Sequence, residues 1–195
     1  MLALQGDVVE HVKMLESLGV EAVEVRTPED LARVDALIIP GGESTTIGKL
    51  AVEYGLDRAI PERVREGMPV YGTCAGMIML SETARGGEPP LLRVMNIEVR
   101  RNAYGRQADS FETDLAVPAL GERPLHAVFI RAPVIDRVGP EASVLASLDG
   151  KPVLVRQGNM LVSAFHPELT SDDRVHRYFL TMLRDGRERG ERRCR

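Results

Sequence analysis

Apolar positions recur in two rhythms along this chain, and the balance between them changes near its middle. In the first half, strand-like and helix-like stretches alternate. Residues 2–4 read as the end of a strand. Asp7 and Glu10 form a candidate capping box, and Val8, Val12, Leu15 and Leu18 then recur at helical spacing up to Gly19, a C-terminal stop. Residues 20–25 alternate like a strand. Thr27-Pro28-Glu29-Asp30 is a helix start with a Thr cap and Pro in the first turn. Residues 36–39 read as a buried strand, 45–54 and 57–66 as helices ending at Gly55 and Gly67, Val70-Tyr71 as a strand, and 77–84 as helix-like. This alternation predicts a parallel sheet covered on both faces.

The second half reads as strands at 96–100, 127–130, 143–148, 153–156 and 160–165, joined by tight turns such as Asp149-Gly150 and Gly158-Asn159. Some of these are expected to add antiparallel strands to the sheet. Residues 171–184 form a closing helix with Val175, Phe179, Met182 and Leu183 on one face, a stripe that belongs in a core. Gly86-Gly87-Glu88-Pro89-Pro90 is a loop rather than a domain linker, and no internal repeat is visible.

Composition narrows the class. A chain of 195 residues with 44% hydrophobic positions can build one core, so a single domain is expected over residues 1–185. The Arg-rich stretch 186–195, interrupted by Glu188 and Glu191 and without aromatics, reads as a solvated tail. No apolar run reaches the roughly 18 residues that span a bilayer, and no signal peptide precedes the first element, which predicts a cytoplasmic protein with no membrane partner. A net charge of −4 argues against a general nucleic-acid binder. The two cysteines, Cys74 and Cys194, do not make a disulfide framework.

Three segments carry candidate chemistry. Gly72-Thr73-Cys74-Ala75-Gly76 follows an apolar strand and precedes a helix. A cysteine at such a turn faces backbone N–H groups and the positive end of a helix dipole. There a thiol can ionise near neutral pH, because sites of this kind bring the ordinary value of about 8.5 down to roughly 3.5–7.5. Small neighbours allow the sharp turn of a nucleophile elbow. The alternative is a small buried core residue, the commoner fate of cysteine. Phe165-His166-Pro167-Glu168 closes a strand. In extended backbone, residues two apart share a side, so Glu168 can orient His166. Cysteine, histidine and carboxylate are the parts of a thiol acyl-transfer triad. His11, His126 and His176 lack that context. The third segment, Pro40-Gly41-Gly42-Glu43-Ser44-Thr45-Thr46, ends a buried strand in a Gly pair whose N–H groups can face an oxyanion or a carboxylate. An ordinary capped loop is its alternative.

Together these segments resemble the class I, triad-type glutamine amidotransferases. Leu4-Gln5-Gly6, Arg101-Asn102-Ala103-Tyr104-Gly105-Arg106-Gln107, Asp109-Ser110-Phe111-Glu112, Phe129-Ile130-Arg131-Ala132-Pro133 and His166-Pro167-Glu168-Leu169-Thr170 narrow the resemblance to the glutaminase subunits of pyridoxal 5′-phosphate synthases, over residues 2 to about 183. Ile78, where many amidotransferases carry Gln, fits that branch. The family usually has a few more apolar residues before Leu4-Gln5-Gly6, so the first strand is expected to be clipped.

The resemblance implies a three-layer, flavodoxin-like α/β fold with a mostly parallel central sheet and antiparallel additions in the C-terminal half. It implies Cys74, His166 and Glu168 as the catalytic triad, and Gly41, Gly42 and Ala75 as oxyanion-hole donors. It places L-glutamine at Gly42, Glu43, Ser44, Arg101, Ile130 and Arg131, with no cofactor and no metal. Arg101 or Arg131 can hold the substrate carboxylate, and Arg106 and Gln107 are candidates to face a partner. The implied partner is a synthase subunit, in many cases a dodecameric core, that receives the ammonia and makes pyridoxal 5′-phosphate, with low activity until it docks. Three other readings remain open at this point: a glutaminase serving another synthase, an oxidant-sensing cysteine on a non-catalytic flavodoxin-like protein, and a cysteine peptidase. The Arg101–Gln107 segment argues against the first and the His166-Pro167-Glu168 triplet against the second.

Overall fold

The computed structural model describes residues 1–87, 89–101 and 110–193, with side chains through residue 183. Asn102 to Gln107, with the partner-facing candidates Arg106 and Gln107, and Cys194 lie outside the described residues. In chain order the elements are α1 (Val8–Ser17), α2 (Pro28–Leu31), β1 (Leu37–Ile39), α3 (Ser44–Glu53), α4 (Leu56–Arg65), β2 (Val70–Thr73), α5 (Ala75–Leu80), β3 (Ser81–Arg85), β4 (Met95–Arg100), β5 (Ser110–Leu115), β6 (Leu125–Ile130), β7 (Val134–Val138), β8 (Ser143–Leu148), β9 (Lys151–Gln157), β10 (Met160–Ser163) and α6 (Arg174–Arg193). Short 3-10 turns cover Pro118–Leu120 and Pro167–Leu169.

The main sheet runs β1-β2-β10-β9-β8. β1, β2 and β10 are parallel, whereas β9 and β8 are antiparallel additions. The two halves of the chain therefore meet at the β2–β10 pair, with Ser163 opposite Thr73. Beyond β1 the chain start continues the sheet: Leu2 N–H donates to Ile38 O at 2.8 Å, Ala3 N–H to Val25 O at 2.9 Å and Val25 N–H to Met1 O at 2.8 Å. The strands expected at 2–4 and 20–25 thus reduce to a single parallel bridge, Leu2 to Val25. Of residues 20–25 only Val25 is buried, so the alternation there lacks a packed face.

Strand alternation covers both faces of the sheet. Tyr71 and Thr73 on β2 point to the side of α1 and α6, where the Tyr71 ring meets His11, His176 and Phe179. Gly72, between them, points to α5 on the other side, where a Cβ would stand 2.8 Å from Leu80 Cδ1. The helices read from periodicity bury the expected stripes: Leu56, Ile60 and Val64 on α4, and Val175, Phe179 and Met182 on α6. Two smaller sheets, β3-β4-β7 and the β5-β6 hairpin, flank the main one. In the hairpin Phe111 stacks on Phe129, with centroids 4.6 Å apart.

The helix-like stretch 77–84 is a correction. The helix stops at Leu80, where Ser81 turns extended (ψ 154°) and its hydroxyl donates to Ile78 O at 2.7 Å, and β3 follows, parallel to β4. β5 and β7 were not expected from the sequence. The Asp7–Glu10 capping box does not form, because the Asp7 side chain makes no cap and turns toward His166 instead. α6 starts at Arg174, after a turn in which Asp172 binds the Arg174 guanidinium. Among the described residues no helix is long and apolar enough to cross a membrane.

Candidate active site

Parallel strands bring their carboxyl ends, and the loops that follow, to one edge of the sheet. Here β1 delivers Pro40-Gly41-Gly42, β2 delivers Cys74 and β10 delivers His166, side by side. Cys74 follows β2 directly, with φ 47° and ψ −98°, and stands at the N-cap of α5. A non-glycine residue at positive φ is held there by its surroundings. The Cys74 N–H donates to Ser163 O on β10 at 2.8 Å. Gly76 is seated so closely against β1 that a Cβ would fall 2.1 Å from Ile39 O. The thiol sulfur lies 4.0 Å from the carbonyl oxygen of Ile130, at the end of β6.

His166 is anchored twice. Its N–H donates to Val128 O at 2.8 Å, and its Nδ1 donates to Glu168 Oε1 at 2.7 Å. Pro167 starts the 3-10 turn that carries Glu168 back to the imidazole. Both side chains are buried. Burial opposes the imidazolium charge, but hydrogen bonds to Cys74 and to Glu168 outweigh it and raise His166 to about 10. Burial also raises Glu168, and the bond to His166 holds that rise back. On the far side, Asp7 Oδ2 lies 3.5 Å from His166 Nδ1. Asp7, His166 and Glu168 form a trio whose donor atoms could face one cation. The 2.7 Å contact already uses His166 Nδ1 as a donor, which is an acid–base arrangement rather than a metal one.

A cavity of about 440 Å³ opens over Cys74 and His166. Gln5 and Asp7 line it ahead of α1, Gly42, Glu43 and Ser44 at the start of α3, Ile78 on α5, Arg101 after β4, Ile130 at the end of β6, and Arg131 and Pro133 after it. Glu43 caps α3, accepting from Thr45 N–H at 3.2 Å and Thr46 N–H at 2.7 Å. It also pairs with Arg101 Nη2 at 3.0 Å. A second hollow of about 520 Å³, walled by Glu112, His126, Leu169 and Asp172 among others, holds none of Cys74, His166 and Glu168.

The cavity thus gathers Gly42, Glu43, Ser44, Cys74, Arg101, Ile130, Arg131 and His166 from the residues the sequence singled out. Glu168 stands behind His166, Gly41 packs against the imidazole, and Ala75 opens α5. Sequence reasoning did not place Gln5, Asp7 or Pro133 at the site. Gln5 Oε1 accepts from Glu43 N–H at 2.7 Å, a contact across 38 residues that no local pattern announces.

Comparison with known proteins agrees with this geometry. The SNO glutamine amidotransferase family matches residues 1–185. The pyridoxal 5′-phosphate synthase subunit PdxT of Moorella thermoacetica is 55% identical over 183 residues, covering 94% of this chain and 97% of that one. The subunit of the same name from Thermus thermophilus is 58% identical over 184 residues, covering 93% and 95%. A crystal structure of a glutamine amidotransferase superposes with a TM-score of 0.89 at 55% identity over 93% of this chain and 96% of that one. The PurLQS structure from Thermotoga maritima shares the fold at a TM-score of 0.66 and 17% identity, covering 93% of this chain and 96% of that one. A flavodoxin-like sheet with cysteine and histidine on neighbouring strand ends, matched almost end to end by these relatives, belongs to a member of the SNO glutamine amidotransferase family.

Proposed function

We propose that this chain is the glutaminase subunit of a pyridoxal 5′-phosphate synthase, with Cys74, His166 and Glu168 as its catalytic triad. The single observation that carries the reading is a buried His166–Glu168 pair set against Cys74 at the floor of the 440 Å³ cavity, in a chain of this family. The Cys74 thiolate attacks the side-chain amide carbon of L-glutamine and forms a C–S bond. The oxyanion is held by backbone N–H groups of Ala75 and the Gly41-Gly42 loop, each typically worth about 2.7–4 kcal/mol in the transition state. His166 gives its proton to the departing nitrogen, the C–N bond breaks and ammonia leaves. Water then attacks the thioester, His166 takes its proton, and glutamate and the thiolate are released. A positioned acid–base group of this kind contributes about 10²- to 10⁴-fold.

The Glu43–Arg101 pair suits a zwitterion. An amino acid lying between them offers its carboxylate to the guanidinium and its ammonium to the carboxylate, replacing one ion pair with two. Arg131, after β6, is the second cation on the same wall. Gly42, Ser44 and Ile130 complete the pocket. One amidotransferase domain over residues 1–185 carries this chemistry, with residues 186–195 outside it. The ammonia passes to a synthase subunit that builds pyridoxal 5′-phosphate, in the cytoplasm, where reducing conditions keep Cys74 a free thiol.

The test is ammonia release from L-glutamine, measured with and without the synthase subunit and with Cys74→Ala as control. Release that depends on Cys74 and rises with the partner supports the reading. A folded, associated complex that releases no ammonia overturns it.

A further inference from the structure

The carboxylate of Glu168 has two oxygens, and the triad uses one. Oε1 accepts from His166. Oε2 is buried, has no hydrogen-bond partner among the described residues, and faces Nε2 of His11 at 3.4 Å. His11 sits on α1 with no solvent exposure. Its Nε2 is also 3.1 Å from Thr73 Oγ1 at the end of β2, and its Nδ1 is 3.0 Å from Nε2 of His176 on α6. His176 Nδ1 is buried without a partner among the described residues. Two histidines, 165 residues apart in sequence, thus extend a line from Cys74 through His166 and Glu168 to the back of the sheet.

We propose that His11 is a positioning residue for Glu168, sharing its Nε2 proton between Thr73 Oγ1 at 3.1 Å and Glu168 Oε2 at 3.4 Å, and that His176 holds His11 in this tautomer by donating from its own Nε2 to His11 Nδ1. The assignment rests on the glutaminase reading for its effect on catalysis, but its geometry stands apart from it. Proton counting selects the arrangement. Each neutral imidazole carries one proton. If His11 held its proton on Nδ1, its Nε2 lone pair would accept from the Thr73 hydroxyl, Glu168 Oε2 would be left with no donor, and His176 would bury an unpaired N–H on Nδ1. With both protons on Nε2, the carboxylate shares a donor with Thr73 and the one unpaired nitrogen is a lone pair. Burial keeps both rings neutral: it pulls His11 well below the ordinary histidine value and His176 down to about 4. The charged and titratable groups facing the pair are Glu168 and His166 from the catalytic turn, Asp173 ahead of α6, Tyr71 on β2 and the Met1 amino group.

The consequence is chemical as well as mechanical. A donor on Oε2 favours the ionised carboxylate, and an ionised Glu168 favours the His166 imidazolium. Losing that donor raises Glu168 and lowers His166, so the pH–rate bell narrows from both sides. A merely structural defect lowers the amount of active enzyme and leaves both limbs where they were.

The experiment uses the full chain with its synthase partner and compares wild type, His11→Leu and His11→Gln in kcat, KM for glutamine and pH–rate limbs. Nitrogen NMR of the imidazoles in the wild-type chain reads the tautomers directly. His11→Leu is expected to lower kcat by about 10- to 100-fold, the usual effect of losing an outer orienting group, with KM little changed and the alkaline limb moved to lower pH. His11→Gln, whose amide Nε2 is as many bonds from Cβ as the ring nitrogen it replaces, is expected to restore most of the rate. Folded His11→Leu at wild-type kcat with unmoved limbs overturns the proposal, as does a His11 proton found on Nδ1. If His11→Leu fails to fold, the tautomers and His11→Gln decide. An inactive wild-type complex would instead refute the glutaminase reading and leave the tautomers to judge the geometry.

Discussion

Cys74 and Gly41 set the reactive geometry by opposite means. Cys74 occupies a backbone conformation that costs a non-glycine residue about 1–3 kcal/mol, and it is held there by its bond to Ser163 O and by the seat of α5 on β1. Gly41 is not at positive φ, and what it contributes is space. A Cβ there would lie 2.4 Å from His166 Cε1 and 2.8 Å from Asp7 Oδ2. Its φ is not in the region that demands glycine, so Gly41→Ala acts through crowding of His166 and Asp7 and of the oxyanion loop they pack on. His166 is pinned by Glu168 and by Val128 O, and the imidazole must turn away from its partners to admit a methyl group. We expect kcat for ammonia release to fall by about 10²-fold, the scale of a 1 Å misplacement, while the thermal midpoint changes little. Wild-type turnover in a folded Gly41→Ala enzyme would show that His166 has room to move and that its position is not set by this contact.

At the scale of elements, the β2–α5 elbow depends on a backbone-to-backbone fit. Gly76 lets the first turn of α5 lie on the Ile39 carbonyl, and no flexible side chain is there to yield. Gly76→Ala is therefore expected to destabilise the protein at or above the upper end of the roughly 1–3 kcal/mol typical of overpacking. The readout is a lower urea midpoint at unchanged slope. A midpoint equal to wild type would mean that α5 can lift off β1 at little cost. The elements that build the elbow were legible in the sequence because each carries its own signal: an apolar run for β1, β2 and β10, and a Gly stop for α4. β5 was not legible because Glu112, Thr113 and Asp114 dominate a strand that is paired on one side and largely exposed. The change from α5 to β3 at Ser81 has no local marker among Met, Leu and Glu. The same division holds at the site. Cys74, His166 and Glu168 sit in short motifs whose geometry follows from two or three neighbours. Asp7 looked like a helix cap, and His11 and His176 like residues on helix faces, because their partners come from the other end of the chain.

On the scale of the whole molecule, the site exists only when the chain has closed on itself, since β10 must slide between β2 and β9 before His166 meets Cys74. Three buried histidines make that closure sensitive to pH in opposite directions. His176 falls to about 4 in the folded protein from an ordinary 6.5, with burial as the main cause. Between those values the unfolded chain binds a proton that the native state excludes, so stability drops as the pH falls from 6.5 toward 4. Over that interval the loss from His176 amounts to about 3 kcal/mol, and His11 acts in the same direction. His166 works the other way. Its folded value is raised to about 10, so the stability it contributes is fully present below 6.5 and is lost as the pH rises through 10. Urea midpoints measured across this range should therefore decline on both sides of a maximum near neutrality. His176→Gln keeps a donor for His11 Nδ1 but cannot titrate, and it should flatten the acid side while leaving the alkaline side in place. Cys74→Ala, which removes one of the bonds that raise His166, should do the reverse. If His176→Gln leaves the acid side as steep as in wild type, then the carboxylates rather than the buried histidines govern acid unfolding, and His176 takes up its proton in the native state without opening the fold.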